Sequence, residues 1–409
     1  MNSRGSCILW VTTNELHTGV IPSQFVAPAR LLAEQLPANT VSHLVFLEPL
    51  RVALGSNTRL RLSELQGLWP GGRMHVLPCS SRLGGNSQRR MLETFARFAA
   101  RGRSLHMHCR GPQTTRLAAQ VVSRLGRGRV VFDCRGPSDI EAEFRMQQRL
   151  PAPAKEEIER GVQAGRDADW GAANMADAIS AVTPALARRM RRLCLRPPET
   201  AWIPCCVVET PPPLTDRAKL RKELGVGERD LLLVHVSSSP HWEDFPQVLR
   251  LLRIVREVRS AKLLLLTLLG EDEVLASLPP TDRLRDHILV RESPASQVKG
   301  YLSAADVGLL LRRSHPTFHF AFPIKFPEYL FAGLPVFQSS GMAINEPTQA
   351  HALGVVVPAH PSDGDLRRGT EELLELLKEP GLRERLIGEC RERFTWARYV
   401  SRLRELLGV

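Results

Sequence analysis

Residues 318–337 read FHFAFPIKFPEYLFAGLPVF, and how this stretch folds decides what surrounds it. Its apolar content is that of a buried segment, yet it carries Lys325 and Glu328 among three prolines and Gly333. Pro327 disfavours helix at Phe326 and suits a first helical position. The sequence therefore predicts a short helix over PEYLFAG, ended by Gly333, then a strand over VFQSS after Pro335. Glu328 falls in the first helical turn and Lys325 in the loop before it. Such a junction presents free backbone N–H groups and the positive end of a helix dipole, and Lys325 adds a full charge. A carboxylate cannot hold phosphate, but it accepts two hydrogen bonds from a vicinal diol, as the acidic residue of dinucleotide-binding folds does on a ribose. Phosphate at the loop and ribose at Glu328 together describe a nucleoside diphosphate. A helix-capping Glu328 beside a solvated Lys325 is the alternative these residues leave open.

Outward from this stretch, strand-length apolar runs alternate with helical patterns. CILWVTT, SHLVFLEP, MHVLPC, SLHMHC and RVVFDCR are strands of a first half, and TAWIPCCV closes it. PAKEEIERGVQAGR and WGAANMADA read as two successive helices. VETPPPLTDRAKLRKELG, with three consecutive prolines before a charged helix, is a stiff connection. DLLLVHVS, AKLLLLTLLG, HILVRES, DVGLLLRR and GVVVP restart the alternation. The pattern predicts an α/β chain of two doubly wound, Rossmann-like parallel-sheet domains facing across a cleft. Such folds bind ligands at the carboxyl ends of their strands.

Composition narrows the function. The chain has 409 residues, 43% hydrophobic and 24% charged. No apolar run approaches the ~20 residues of a membrane span. MNSRGS passes directly into the first strand without the ordered regions of a signal peptide, so a cytoplasmic protein is expected. The eight cysteines show no C-x-x-C spacing, and the adjacent Cys205 and Cys206 suit neither a disulfide nor zinc. His315 and His319 stand at i, i+4, but Pro316 and the absence of a nearby third ligand argue against a metal site. The net charge of +12 comes largely from arginine, dense in Arg82 to Arg135 and in ALARRMRRLCLR (185–196). It points to anionic partners, or in part to composition bias. Without a recognisable module and with 6% aromatic residues, nucleic acid is not the expected one.

PIKFPEYLFAGLPVF resembles the P-x-K-x-x-E-Y-L-x-x-G-x-P-V segment of family 4 (group 1) glycosyltransferases of the GT-B fold. ADAISAVTPALARRM followed by AWIPCCV resembles that family's A-D-x-x-x-x-x-S-x-x-L helix and I-P-N-G-V crossover. HVSSSPHWEDFPQVLRLL, YLSAADVGLLLRR, LHMHCRG with VVFDCRGPSDIEAE, and FTWARYVSRLREL are similar to further family segments, in the right order over almost the whole chain. The resemblance implies transfer of a sugar from a nucleotide-diphosphate sugar to an acceptor, usually with retention. It implies no metal or other cofactor, because basic residues and a helix N-terminus neutralise the leaving group. It implies an acceptor-binding domain over 1–207, a nucleotide-sugar domain over 208–390, and a last helix in 391–409 returning to the first domain.

By the same resemblance, Glu328 holds the ribose hydroxyls, and Pro323, Ile324 and Lys325 face the diphosphate. Arg312 or Arg313 meets phosphate or sugar, and Ser238 belongs to the nucleotide site. Gly19 lies in the loop that approaches the phosphate and sugar, His108 contacts the donor sugar, and Arg110, Asp133 and Arg135 shape the acceptor side. His108, Lys325 and Arg312 are the expected catalytic residues; for His108 a core role stays open, and Arg291 is a weaker candidate. The chain departs from the pattern in three places. Phe320 stands where many members carry an acidic residue on the donor sugar, so His319 or backbone amides are expected to read it. Ser237 replaces a loop glycine in SSSPHWE, with no cation close behind, and IPCCV replaces I-P-N-G-V. The acceptor is expected to be a lipid-linked, sugar or acidic small molecule, with the protein in the cytoplasm and in peripheral contact with an anionic membrane as one possibility. A non-catalytic GT-B binding subunit and a GT-B nucleotide-sugar epimerase are the alternatives.

Overall fold

The computed structural model describes residues 5–80, 84–126, 128–149, 151–209, 217–237, 243–276, 278–279, 281–293 and 295–409. The chain divides into two compact units. One comprises Met1–Val208, Phe320–Phe322 and Trp396–Val409; the other comprises Glu209–His319 and Pro323–Thr395.

The first unit is built on a seven-stranded sheet: β1 (Ser6–Thr13), β2 (Val41–Pro49), β3 (Arg73–Cys79), β4 (Ser104–Arg110), β5 (Arg129–Cys134), β6 (Ala178–Ala181) and β7 (Glu199–Trp202). The order is β3-β2-β1-β4-β5-β6-β7, and every pairing is parallel. β1 shows why the run CILWVT is apolar throughout. Ile8 and Trp10 enter the core with Phe25, Phe46, Leu403 and Leu406, while Cys7, Leu9 and Val11 enter the opposite core with Leu92, Leu117 and Val121. A parallel strand covered on both faces has no polar alternation to display.

The second unit carries a six-stranded parallel sheet: β8 (Leu231–Ser237), β9 (Ala261–Thr267), β10 (Ile288–Glu292), β11 (Val307–Leu310), β12 (Val336–Ser339) and β13 (Gly354–Val357). Its order is β10-β9-β8-β11-β12-β13. Helix Phe245–Val258 starts at Asp244, whose carboxylate accepts from Gln247 N, and helix Asp363–Leu376 starts with a Ser362/Asp365 capping box. Both sheets reverse strand order, at β1/β4 and at β8/β11, so each unit has the topology of a doubly wound domain.

Three local expectations are corrected. Residues 155–175 form one helix, Lys155–Met175, because the glycines inside it leave its hydrogen bonding intact and Asp169 is anchored against Ser138 N and Oγ at 2.8 and 2.7 Å. The strand expected over TAWIPCCV ends at Trp202; Ile203 N still reaches Ala181 O at 2.9 Å, but Pro204 has no N–H to continue the ladder. The helix of the opening stretch is Lys325–Phe331, so Phe326 is helical and Lys325 is its first residue, not a loop residue. Pro327 is tolerated there because first-turn N–H groups lack intrahelical partners anyway. Gly333, at φ +73°, ends the helix in the left-handed conformation, with Leu334 N on Tyr329 O at 2.9 Å. All eight cysteines are free thiols.

Candidate functional site

In the second unit the helix Lys325–Phe331 is fixed to the sheet by its apolar residues. Phe326 is fully buried edge-on against Phe394, and the Cys390 thiol donates to Pro327 O at 3.3 Å. Tyr329 is fully buried; its hydroxyl accepts from Val236 N at 3.2 Å and donates to Leu309 O at 3.4 Å. Its ring lies where Gly308 leaves room: a Cβ there would stand 2.4 Å from it. The chain thereby clamps this helix between the carboxyl ends of β8 and β11.

The charged groups at that end are assembled from three segments. Glu243 lies just before helix Phe245–Val258, in an isolated antiparallel bridge with Arg312, and Asp244 N donates to Leu311 O at 3.0 Å. Arg312 N in turn donates to Ser339 Oγ at the end of β12, at 3.1 Å. Glu243 Oε1 accepts from Lys325 Nζ at 2.5 Å and stands 3.6 Å from Arg312 Nη2. Arg312 also lies over the Phe318 ring, 5.0 Å from its centroid. Glu243 Oε2 is buried and without a partner among the described residues, as are both ring nitrogens of His235. Burial works against the Glu243 carboxylate, but the charges of Lys325 and Arg312 outweigh it and hold the group down at about 2. Burial keeps His235 neutral, down to about 4. Two cations and one carboxylate leave one surplus positive charge.

Glu328 is different. Partly exposed, it makes no side-chain hydrogen bond or salt bridge among the described residues. The protein packed around its carboxyl raises it to about 7, with Lys299 and Lys325 opposing the rise. It is thus poised to accept hydrogen bonds that the protein itself does not supply. Ile324 is the N-cap of the same helix, and Pro323 is buried behind it. Arg313 and His319 are exposed. Ser238 lies outside the described residues, and Arg291 sits on the edge strand β10 with Nη1 on Val290 O.

In the first unit a second cluster occupies the carboxyl ends of β1, β4 and β5. Glu15 Oε2 accepts from Thr12 Oγ1 at 2.7 Å and from Arg110 Nε at 2.6 Å. Asp133 lies 3.5 Å from both Arg110 Nη1 and Arg135 Nη1, and Arg135 Nη2 reaches Gln24 Oε1 at 3.1 Å and Cys205 Sγ at 3.0 Å. Two guanidiniums thus face two carboxylates. His108, 3% exposed, stacks on Trp10 with centroids 4.3 Å apart. Burial lowers it to about 4, so it is neutral, and its Nδ1 has no partner among the described residues. It is a core histidine with an unmet polar atom. Gly19 has open space where a Cβ would stand. Phe320 belongs with this unit: its carbonyl accepts from Thr183 Oγ1 at 2.9 Å, and Arg189 lies 5.6 Å from its ring centroid.

The structure therefore joins Lys325 to Arg312, and Arg110 to Asp133 and Arg135. The residues that sequence reasoning missed are Glu243 and His235 in the second unit and Glu15 in the first. EDFP marks a helix start, but nothing in it announces a partner 82 residues away. Among the described residues no set of three His, Cys, Asp or Glu side chains converges as metal ligands.

No family model matches the chain, and no curated protein matches it. Among solved structures, sucrose-phosphate synthase from Thermosynechococcus elongatus is 13% identical, with 98% of each chain covered and a TM-score of 0.67. HepE from Anabaena, solved with UDP-glucose, is 14% identical over 98% of this chain and 99% of its own, with a TM-score of 0.71. The α,α-trehalose 6-phosphate synthase of Burkholderia multivorans is 11% identical over 98% of each chain, with a TM-score of 0.60. At these identities the likeness is one of fold, and the fold is GT-B.

Proposed function

We propose that the chain is a glycosyltransferase that moves a sugar from a nucleotide-diphosphate sugar to an acceptor. The observation that carries this reading is the joining of Lys325 and Arg312 on Glu243 at the carboxyl ends of β8 and β11, with Glu328 three residues beyond Lys325 on the same helix. Lys325 and Arg312 supply the surplus positive charge for a diphosphate leaving group, and Glu328 offers a free carboxylate to a ribose diol. Preorganised charge of this kind stabilises the departing diphosphate without having to reorganise during reaction. In this reading cations of the chain do what a divalent ion does elsewhere, so transfer is metal-independent. Retention of anomeric configuration follows from the sequence resemblance to retaining family 4 enzymes. HepE, solved with UDP-glucose, and the sugar-phosphate synthases with the same fold support a nucleotide-sugar donor.

The acceptor belongs to the first unit in this reading. Its charge-balanced Glu15–Arg110–Asp133–Arg135 cluster offers hydroxyl-binding carboxylates and guanidiniums together, which suits a sugar acceptor. We place the reaction in polysaccharide, glycolipid or glycoconjugate assembly, in the cytoplasm and at the face of an anionic membrane. No helix among the described residues is long and apolar enough to cross a membrane. Incubation with a panel of nucleotide sugars, with free nucleoside diphosphate as the readout and proton NMR of the new glycosidic bond, tests the donor and the stereochemistry together. Release of diphosphate with a retained anomeric centre, unaffected by a chelator, is expected; inversion or strict metal dependence would refute those parts.

One observation favours a second reading. Lys325 is already engaged by Glu243 at 2.5 Å, as in a site that no longer needs its cation for a ligand. A binding subunit without transfer would bind nucleoside diphosphate and release none from any nucleotide sugar.

A further inference from the structure

The arginine-rich run 185–196 takes no part in either charged cluster through its outward residues. Its helix, Pro184–Leu193, begins at Thr183, whose hydroxyl accepts from Leu186 N at 3.1 Å. Leu186 and Met190 are buried on one side, and Arg188, Arg191 and Arg192 project at i, i+3 and i+4 on the other, all exposed. Arg196, just beyond the helix, is exposed as well. Arg189 alone of this group is spent internally, on Asp139 at 2.5 Å. None of the other four carries a salt bridge among the described residues.

Large apolar side chains stand open at both ends of this basic face. At its C-terminal end Asn174 binds the turn, donating to Leu193 O at 3.0 Å and accepting from Leu195 N at 2.7 Å. Leu195, 80% exposed, is thus tied to the helix end at Asn174, on which Trp170 and Met175 are also open, at 48% and 40%. At its N-terminal end the indole of Trp202, 43% exposed, donates to Val182 O at 3.0 Å. Two open tryptophans and a nearly bare leucine thus lie on segments hydrogen-bonded to the two ends of a run whose four exposed arginines carry no salt bridge among the described residues.

We propose that this face, the helix Pro184–Leu193 with Trp170, Leu195 and Trp202, docks the protein on an anionic lipid bilayer. Arginines meet the headgroup phosphates, the indoles lie at the headgroup level where amphipathic rings are favoured, and Leu195 reaches the acyl boundary. A nucleic acid would use the same arginines but has no apolar layer for Leu195. The inference deepens the membrane placement proposed above and rests on it for the sense of such docking, that the acceptor is lipid-linked.

The test is co-sedimentation of the full chain with vesicles of neutral phosphatidylcholine, alone or with one-third phosphatidylglycerol, at low and at physiological salt. In parallel, nucleoside-diphosphate thermal shifts are recorded on each variant. Wild type binds the anionic vesicles, more weakly as salt rises, and leaves the neutral ones. Each basic residue at such a surface contributes roughly fivefold, so the variant with Arg188, Arg191, Arg192 and Arg196 all changed to Ser loses on the order of a hundredfold or more. Trp170→Ser with Leu195→Ser loses the binding that persists at physiological salt. A control on another open apolar face of this unit, Leu54→Ser with Arg59→Ser and Leu60→Ser, binds as wild type does. The proposal is overturned if the arginine variant binds vesicles undiminished, if the control abolishes binding, or if heparin or RNA competes the protein off vesicles completely. A wild type that ignores the anionic vesicles yet keeps its diphosphate shift condemns the surface alone; a wild type that binds the vesicles but shows no diphosphate shift condemns the donor reading alone.

Discussion

In the first unit two guanidiniums, Arg110 and Arg135, meet two carboxylates, Glu15 and Asp133; in the second, Lys325 and Arg312 meet Glu243 alone, with Glu328 standing apart. Both clusters sit at the carboxyl ends of strands flanking the point where strand order reverses, so topology does not distinguish them. Charge balance does. The balanced cluster pairs its charges, although Arg110 Nη1 stays buried without a hydrogen-bond partner among the described residues. The unbalanced one keeps a buried carboxylate ionised, retains a surplus cation and leaves one carboxyl without a partner. A site for a charged ligand is recognised by what the protein leaves unpaired.

The sharpest way to break this contrast is Lys325→Ala. Transfer falls by about 10²–10³, as for loss of one preorganised charge-stabilising group. Stability falls by about 3–5 kcal/mol because Glu243 is left buried with a weaker counter-charge. Adding Glu243→Gln restores most of the stability, read by denaturant unfolding, and none of the turnover. Recovery of both would make Lys325 a structural residue. Arg110→Met tests the other cluster. It costs about 1–3 kcal/mol, since Glu15 loses a hydrogen bond and Asp133 an ion pair, and weakens acceptor use while nucleoside-diphosphate affinity, measured by calorimetry, stays at the wild-type value.

Gly308→Ala probes the clamp beneath the second cluster. A Cβ 2.4 Å from the Tyr329 ring forces overpacking worth about 1–3 kcal/mol, and diphosphate affinity falls with the displaced helix. The smallest effect concerns Glu328. Its carboxyl, raised from 4.5 to about 7, binds protons in the folded state that the unfolded chain has released. Stability from this group is present at low pH and lost as pH rises through about 7. Glu328→Gln therefore raises Tm at pH 8 by about 2–4 °C, with little change at pH 5, while nucleotide affinity drops at pH 8 and changes little at pH 5. Wild-type affinity for the diphosphate rises with pH through the same window, because the ionised carboxylate is the acceptor.

The strands were legible because parallel strands covered on both faces read as unbroken apolar runs, as CILWVT and LLLLT do. The start of helix Lys325–Phe331 was not, because the rule for the residue before proline gives way when the proline falls in a first turn. Lys325 and Glu328 could be read together because one short segment carries both. Arg110, Asp133 and Arg135 were legible as a set through the resemblance, yet Glu15, which completes their balance, was hidden in NELHTGV. Glu243 was illegible for the same reason: a backbone bridge to Arg312 and a side-chain contact with Lys325, both far along the chain, place it, and no local pattern encodes either.

The most direct test of the central claim is a thermal-shift series with UDP, GDP, ADP, CDP and dTDP on the wild type and on Glu328→Ala. A diphosphate at about 100 times its dissociation constant stabilises by about 2.7 kcal/mol. The account predicts that one of the five raises the Tm of the wild type by several degrees and leaves the variant where it was. A shift of equal size in both proteins would contradict the role of Glu328, and no shift with any diphosphate would contradict the site itself.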